Sequence, residues 1–170
     1  MRELYLLRHA KTKLAEPGQA DRDRALAPRG RRVAPEIGAY MAEEGMIPDL
    51  VLCSTAVRTR ETFALLLEGL HTKPKVLFEE ELYLAEAETI LSVVSEIPDT
   101  AQRVLVVGHN PGLHELAHHL ARHSETDAAQ TLASRFPTGA LARYGLEGDW
   151  SDVARLAQLV SYKTPRGDEA

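Results

Sequence analysis

The sequence predicts an α/β protein, a three-layer α/β/α sandwich with a mostly parallel central sheet. Short apolar runs with the character of strands alternate with longer segments of helical pattern through most of the 170 residues. In chains of this kind the helices connect parallel strands and cover both faces of the sheet. The length suits a single domain, which we predict over residues 1–162, followed by a polar C-terminal tail over residues 163–170.

Each element has its own signal in the sequence. Residues 103–107 give the clearest strand, because they are rich in β-branched residues and apolar from Val104. Pro28 can occupy the first turn of a helix, and Pro35 should bend or split that helix. The predicted strands are residues 3–7, 49–53, 75–78, 103–107, 140–146 and 153–161. The predicted helices are residues 28–44, 55–68, 86–96 and 111–122.

Composition restricts the classes of function. The net charge of −5 argues against general nucleic-acid binding, and no apolar run approaches the roughly 20 residues that cross a bilayer. We therefore expect no nucleic-acid partner and no membrane association. The N-terminus is too polar for a signal peptide, and Cys53 is the only cysteine, so we expect a reduced, cytoplasmic setting without a disulfide.

Three predicted strands end on residues that suit phosphate chemistry. The first strand ends at Arg8 and His9. The second ends at Ser54, with Arg58 one turn into the next helix, and the fourth ends at His109. Ligands of open α/β sheets bind beyond the carboxyl ends of the strands, so these residues meet if the strands are neighbours. Because a neutral imidazole can carry a phosphoryl group and a guanidinium binds phosphate oxygens bidentately, the pattern favours phosphoryl transfer.

These motifs, taken together and in order, resemble those of the histidine phosphatase superfamily, which has the phosphoglycerate-mutase-like fold. The family's first strand ends in Arg-His-Gly, whereas this chain has Ala10 in place of the glycine. Residues 21–30 are similar to the Asp-x-x-Arg-Pro-Leu-Thr-x-x-Gly segment of the small SixA-like phosphohistidine phosphatases, and residues 54–62 to their Ser-x-x-x-Arg-x-x-x-Thr. Residues 106–111 resemble the strand that carries the second histidine, and residues 81–83 recur in related small members.

The resemblance implies a phosphatase that acts on a phosphomonoester or a phosphoramidate, with phosphohistidine on a protein favoured. The nucleophile would be His9, which becomes a covalent phosphohistidine, and no metal or organic cofactor is implied. The phosphate would be held by Arg8, Arg24, Arg58 and His109. The general acid would be Glu81 by its position, with Asp21 and Asp23 as alternatives in the loop beside Arg24.

Two other functions fit parts of the sequence. His114, Glu115 and His118 match the His-Glu-x-x-His pattern of zinc proteases. However, Ala121 stands where the extended motif has glycine, and His123 is one residue too near to be its third ligand. The second alternative is a non-catalytic module that binds phosphohistidine or a phosphoprotein without turnover. A mutase is disfavoured, because the chain has little length for a lid over a sugar phosphate.

Overall fold

The computed structural model describes residues 1–166, which form one six-stranded sheet with helices on both faces. The strands are β1 (Arg2–Arg8), β2 (Leu50–Ser54), β3 (Lys75–Glu79), β4 (Arg103–Gly108), β5 (Leu141–Leu146) and β6 (Gln158–Lys163). The helices are α1 (Pro28–Glu43), α2 (Val57–Leu70), α3 (Ala87–Ser95), α4 (Gly112–Leu120), α5 (Asp127–Ser134) and α6 (Val153–Leu156). Single 3-10 turns occur at Asp21–Asp23, Glu80–Leu82 and Trp150–Asp152.

The sheet has the strand order β3-β2-β4-β1-β5-β6. The strands β3, β2, β4 and β1 are mutually parallel. The strand β5 is antiparallel to β1, and β6 is antiparallel to β5. An antiparallel edge on an otherwise parallel sheet is common in α/β proteins. The predicted fold class, with its mostly parallel sheet, is therefore confirmed.

Alternate side chains of β1 pack into two different cores. Leu4 and Leu6 belong to the core beneath α3, α4, α5 and α6. Tyr5 and Leu7 belong to the core beneath α1 and α2. All four side chains are fully buried, as expected for a central strand covered on both faces. The helices thus form an outer layer on each side of the sheet, which confirms the three-layer arrangement.

The predicted strand over residues 153–161 is wrong in its first half, which forms α6. Helical structure begins already at Trp150, whose buried indole donates a hydrogen bond to a backbone carbonyl before β4. Asp149 and Asp152 form a reciprocal capping box around this turn. The strand β6 begins only at Gln158, after the buried turn has ended.

Two further differences concern helices. The helix α5 is absent from the predicted elements, although it begins with a recognisable cap: the Thr126 hydroxyl accepts the backbone N–H of Ala129 at 3.2 Å. The helix α1 runs through Pro35 without a break, so the predicted split does not occur.

The predicted tail begins where β6 ends, at Lys163. The residues directly after it still contact the domain: Pro165 lies against Gly139, and the carbonyl of Arg166 accepts a hydrogen bond from Arg29 at 3.2 Å. The rest of the predicted tail, residues 167–170, lies outside the described residues. Across the part of the chain that the structure describes, no helix has both the length and the apolar character needed to cross a membrane.

Candidate active site

The two histidines singled out in the sequence lie side by side at the carboxyl edge of the sheet. The strands β2, β4 and β1 are adjacent and parallel. Arg8 of β1 stands opposite Gly108 of β4, so the next residues, His9 and His109, project from neighbouring strand ends. Their ring centroids are 5.5 Å apart. The expected convergence of these strand ends is therefore present in the structure.

Hydrogen bonds fix the tautomer of the His9 ring. Its Nδ1 lies 2.9 Å from the carbonyl oxygen of Ala10, and a carbonyl can only accept, so Nδ1 carries the proton. The Thr12 hydroxyl donates to the same carbonyl at 2.9 Å, which leaves its oxygen free to accept from Nδ1 at 3.1 Å. In the neutral ring, the lone pair is therefore on Nε2.

Burial keeps the His9 ring neutral. The residue is 7% exposed, and desolvation lowers the pKa of His9 to about 3, with smaller contributions from His109, Arg8 and Arg58. The arginines around the ring also disfavour its protonation, but burial is the larger cause.

The segment after His9 is held against α1 and α2. The N–H of Ala10 donates to the Thr62 hydroxyl at 3.0 Å, and the Lys11 carbonyl accepts the N–H of Ala27 at 2.9 Å. Gly30 permits this approach, because a Cβ at that position would lie 2.2 Å from the Lys11 oxygen.

The alanine that replaces the family's glycine causes no backbone strain. Ala10 has no positive φ angle, and its methyl group is fully buried in a small cluster with Leu26 and Ala34. An alanine at this position therefore packs its side chain while its carbonyl still orients His9.

His109 is held by a single side-chain hydrogen bond. Its Nε2 lies 2.7 Å from the hydroxyl of Ser54, and both residues are buried. Its Nδ1 is buried and has no hydrogen-bond partner among the described residues. The Tyr83 ring packs edge-on against the imidazole, with centroids 5.5 Å apart. Burial, followed by the charge of Arg58, lowers the pKa of His109 to about 3.

Asp21 connects two of the three arginines. Arg58, which is 3% exposed, donates to the Asp21 carboxylate and to its backbone carbonyl, each at 3.0 Å. Arg24 donates to the other carboxylate oxygen at 3.0 Å, and the Tyr83 hydroxyl also donates to Asp21. The hydrogen bond from Tyr83, together with those from the two arginines, holds the pKa of Asp21 well below its usual range. Asp21 is therefore ionised and already bonded, which is a poor state for a general acid. The third arginine, Arg8, donates to the Phe136 carbonyl at 3.3 Å.

The two histidines and the three arginines line one cavity of about 360 Å³. Asp21 is the only carboxylate in this lining, counting the residues that the structure describes. Glu81 is exposed on its 3-10 turn and does not line the cavity. Asp23 is exposed as well and lines a different surface groove. The structure therefore does not bring Glu81 or Asp23 into the site.

The neighbouring carboxylate, Glu80, forms an ion pair with Arg22 and a hydrogen bond with Thr55 outside the cavity. It forms a bidentate pair with Arg22, with both bonds at 2.7 Å, and accepts the Thr55 hydroxyl at 2.7 Å. Arg22 is thus bonded beside the cavity, where its guanidinium also lies 4.9 Å from the centre of the Tyr83 ring.

The residues of the zinc-protease motif do not converge on a common site. The Nε2 of His114 lies 2.7 Å from the carbonyl of Leu132, and its ring stacks on Phe136. His118 is exposed to solvent. Among residues 1–166, no group of three or more histidine, cysteine, aspartate or glutamate side chains is arranged to hold a metal ion.

Several residues of the site have roles that the sequence does not assign. Thr12 contacts the His9 ring, Ser54 contacts His109, and Tyr83 contacts both His109 and Asp21. Ser54 and Tyr83 belong to segments that resemble family motifs, so a signal for them was present. Thr12 has no such signal, since its contact depends on the turn that follows His9.

Comparison with known proteins assigns the chain to a family. A sequence model of the histidine phosphatase superfamily (branch 1) matches residues 4–88. An uncharacterized protein of Mycobacterium tuberculosis is 39% identical over 165 residues, which cover 94% of this chain and 100% of that protein.

Two solved structures are similar over nearly their whole length. Each carries, provisionally, the name phosphohistidine phosphatase SixA. The one from Nakamurella multipartitia has a TM-score of 0.85 and 33% identity, covering 97% of this chain and 96% of that one. The one from Agrobacterium tumefaciens has a TM-score of 0.82 and 32% identity, covering 96% and 98%. With its paired histidines at the strand ends, this chain belongs to the histidine phosphatase superfamily and resembles its SixA phosphohistidine phosphatases.

Proposed function

We propose that this phosphatase removes the phosphoryl group from phosphohistidine on a protein through a covalent phosphohistidine on His9. The observation that carries the proposal is the hydrogen bond from His9 Nδ1 to the Ala10 carbonyl. It leaves the lone pair of a buried, neutral imidazole on Nε2, in a cavity that also contains three arginines. A nucleophile, and a set of cations for phosphate oxygens, are the two requirements of phosphoryl transfer by histidine.

The reaction has two displacements. In the first, His9 Nε2 forms a bond to phosphorus while the bond from phosphorus to the substrate's imidazole nitrogen breaks, and that nitrogen takes a proton from solvent. In the second, a water oxygen attacks phosphorus, the bond to His9 breaks, inorganic phosphate leaves, and the proton of the water passes to solvent. Arg8, Arg24 and Arg58 neutralise the phosphate oxygens in both steps.

We assign His109 the role of stabilising the transition state by a hydrogen bond to the phosphoryl group. The Ser54 oxygen already accepts the N–H of Ala56 at 3.4 Å, so we assign the Ser54 hydroxyl as the donor to Nε2. The proton of the neutral His109 ring is then on Nδ1, the nitrogen without a partner in the described chain. This N–H then donates to a phosphate oxygen. Burial and the charge of Arg58 lower the pKa of His109, so the ring acts as a neutral N–H donor.

The acid–base character of the cavity favours a phosphoramidate over an alkyl phosphoester. The only carboxylate in its described lining is the ionised Asp21, and Glu81 lies outside. An alkoxide leaving group needs a proton donor, whose contribution is about 10²–10⁴-fold. An imidazole nitrogen leaves readily once it is protonated by solvent, so a phosphohistidine substrate does not need a carboxylic acid in the site.

Rapid-quench labelling tests this proposal. The protein is mixed with a phosphohistidine peptide labelled with ³²P, quenched in alkali, and examined for protein-bound label that is stable in alkali and labile in acid. We expect label and phosphate release with the wild type, and neither with His9→Asn. His118→Asn, which removes an exposed histidine outside the cavity, serves as the matched control and should behave as the wild type.

Two outcomes would overturn the proposal. Turnover retained in His9→Asn would exclude His9 as the nucleophile. Tight binding of the phosphopeptide by the wild type, without any phosphate release, would instead identify a non-catalytic phosphohistidine-binding module.

A further inference from the structure

The mouth of the catalytic cavity carries two exposed leucines. Leu14 is 86% exposed and Leu84 is 52% exposed, and both line the cavity that contains His9. They come from different parts of the chain, Leu14 from the loop after β1 and Leu84 from the loop after the 3-10 turn Glu80–Leu82. Of the six large apolar side chains that are exposed among the described residues, these two line the same cavity. Exposed apolar surface rimmed by polar residues is typical of interaction sites.

The backbone around both leucines is fixed. Leu84 has a φ angle of 49°, in the left-handed region that a leucine rarely adopts, and strained positions of this kind concentrate at functional sites. It follows Tyr83, which packs on His109. Leu14 follows Lys13, whose N–H donates to Ala25 and whose carbonyl accepts from Arg24, each at 2.9 Å.

The same mouth carries positive charge without partners. Lys11 lines the cavity and Lys13 directly precedes Leu14, and both lysines are exposed. Neither forms an ion pair within the described chain. The chain as a whole has a net charge of −5, so this is a local basic area on an acidic protein. Neither lysine has a role in holding the site together by its charge, which leaves both charges available to an acidic partner.

We propose that Leu14, Leu84, Lys11 and Lys13 form a docking rim for a protein segment in which the phosphohistidine is flanked by apolar and acidic side chains. The inference rests on the proposed function. It adds that the enzyme recognises side chains next to the phosphohistidine as well as the phosphoryl group itself. A small hydrophilic phosphoester reaches the arginines but has nothing to place against the leucines. The rim therefore selects phosphoryl groups that are carried by protein, and among those the ones with leucine-like and carboxylate neighbours.

Two phosphohistidine peptides of equal length test the rim. One has leucine and glutamate on both sides of the phosphohistidine, and the other has serine and lysine. We expect the wild type to prefer the first peptide by about tenfold or more in kcat/KM, the scale of partly burying two leucines. In Leu14→Ser/Leu84→Asn the ratio should fall to about threefold or less. Asparagine is chosen because it tolerates a positive φ angle.

Val160→Ser is the matched control, because Val160 is 55% exposed on β6 and does not line the cavity. This variant should keep the wild-type ratio. High salt should also reduce the ratio, because the lysines contribute by charge.

The test distinguishes the rim from the proposed function. Equal kcat/KM for the two peptides with normal turnover overturns the rim and leaves the phosphatase in place. If neither peptide is hydrolysed, the proposed function fails. The docking rim is then tested separately by measuring the affinity for each of the two peptides by calorimetry. Equal affinities overturn it, and a preference that is lost in Leu14→Ser/Leu84→Asn supports it.

Discussion

The hydrogen bond between Ser54 and His109 provides the sharpest prediction. It is 2.7 Å long, both residues are buried, and it is the only hydrogen bond of the His109 ring within the described chain. Ser54→Ala removes this partner and leaves the rest of the cavity lining unchanged. We expect Ser54 to be a positioning residue, which acts on the reaction only through the orientation and tautomer of His109.

The magnitude follows from one buried hydrogen bond. Its net contribution is about 1.5 kcal/mol, so kcat/KM should fall by about tenfold. His109→Ala removes the donor itself, and the loss of such a donor costs about 10²–10³-fold in kcat. Ser54→Ala should also lower the free energy of unfolding by about 1–3 kcal/mol, because the buried imidazole nitrogen is left without a partner.

A double-mutant cycle on phosphohistidine hydrolysis is the assay. If Ser54 acts through His109, then adding Ser54→Ala to His109→Ala should change kcat/KM by less than about twofold. A further tenfold loss in the His109→Ala background would refute the reasoning. Ser95→Ala is the matched control, because this half-buried serine lies outside the cavity and donates only to the carbonyl of Ser92, and it should leave kcat/KM unchanged.

Three other expectations can be checked with simple variants and pH titrations. Glu81→Gln should change kcat for phosphohistidine by less than about threefold, because Glu81 is exposed outside the cavity; a loss of about 10²-fold would restore it as the general acid. Ala10→Gly should lower the free energy of unfolding by about 1 kcal/mol in a denaturant titration, since it removes a buried methyl and adds backbone freedom, and an unchanged stability would contradict the packing described. The folded-state pKa values of His9 and His109 are lowered to about 3 from an ordinary 6.5, so between these values the unfolded chain binds more protons. The free energy of unfolding should therefore fall as the pH is lowered through this window, and His9→Asn should reduce the slope; an equal slope would show that His9 is not buried as a neutral group.

The parts of the site that the sequence predicted are those set by strand order. His9, Arg58 and His109 each follow an apolar strand or begin the helix after one, and parallel strands put such residues at the same edge. The family motifs added Arg24, which lies in a loop with no regular structure of its own. The general acid was not predictable in this way, because the direction of an exposed glutamate such as Glu81 depends on a single 3-10 turn.

Hydrogen-bond partners were the less predictable part. The contacts of Thr12 with His9, and of Tyr83 with Asp21, depend on how two loops close over the sheet edge. The same limit explains the C-terminal region, where a strand was predicted over residues 153–161. There the buried Trp150 and its capping box favour a helical turn, and tertiary packing decides the result over local pattern.

The position of β4 within the sheet has a consequence for the order in which the protein folds. This strand lies between β1 and β2, and Glu3 pairs with Arg103, about 100 residues later in the chain. During synthesis, β1 therefore has neither of its neighbours in place until β4 and β5 emerge. The region matched by the family model, residues 4–88, contains only one of the two histidines of the candidate site. A fragment ending there would leave β1 unpaired, with its buried apolar residues 4–7, and would lack His109. Recovery of activity during refolding should thus coincide with formation of the central sheet, because the long-range pairing that completes the core is also the event that creates the site.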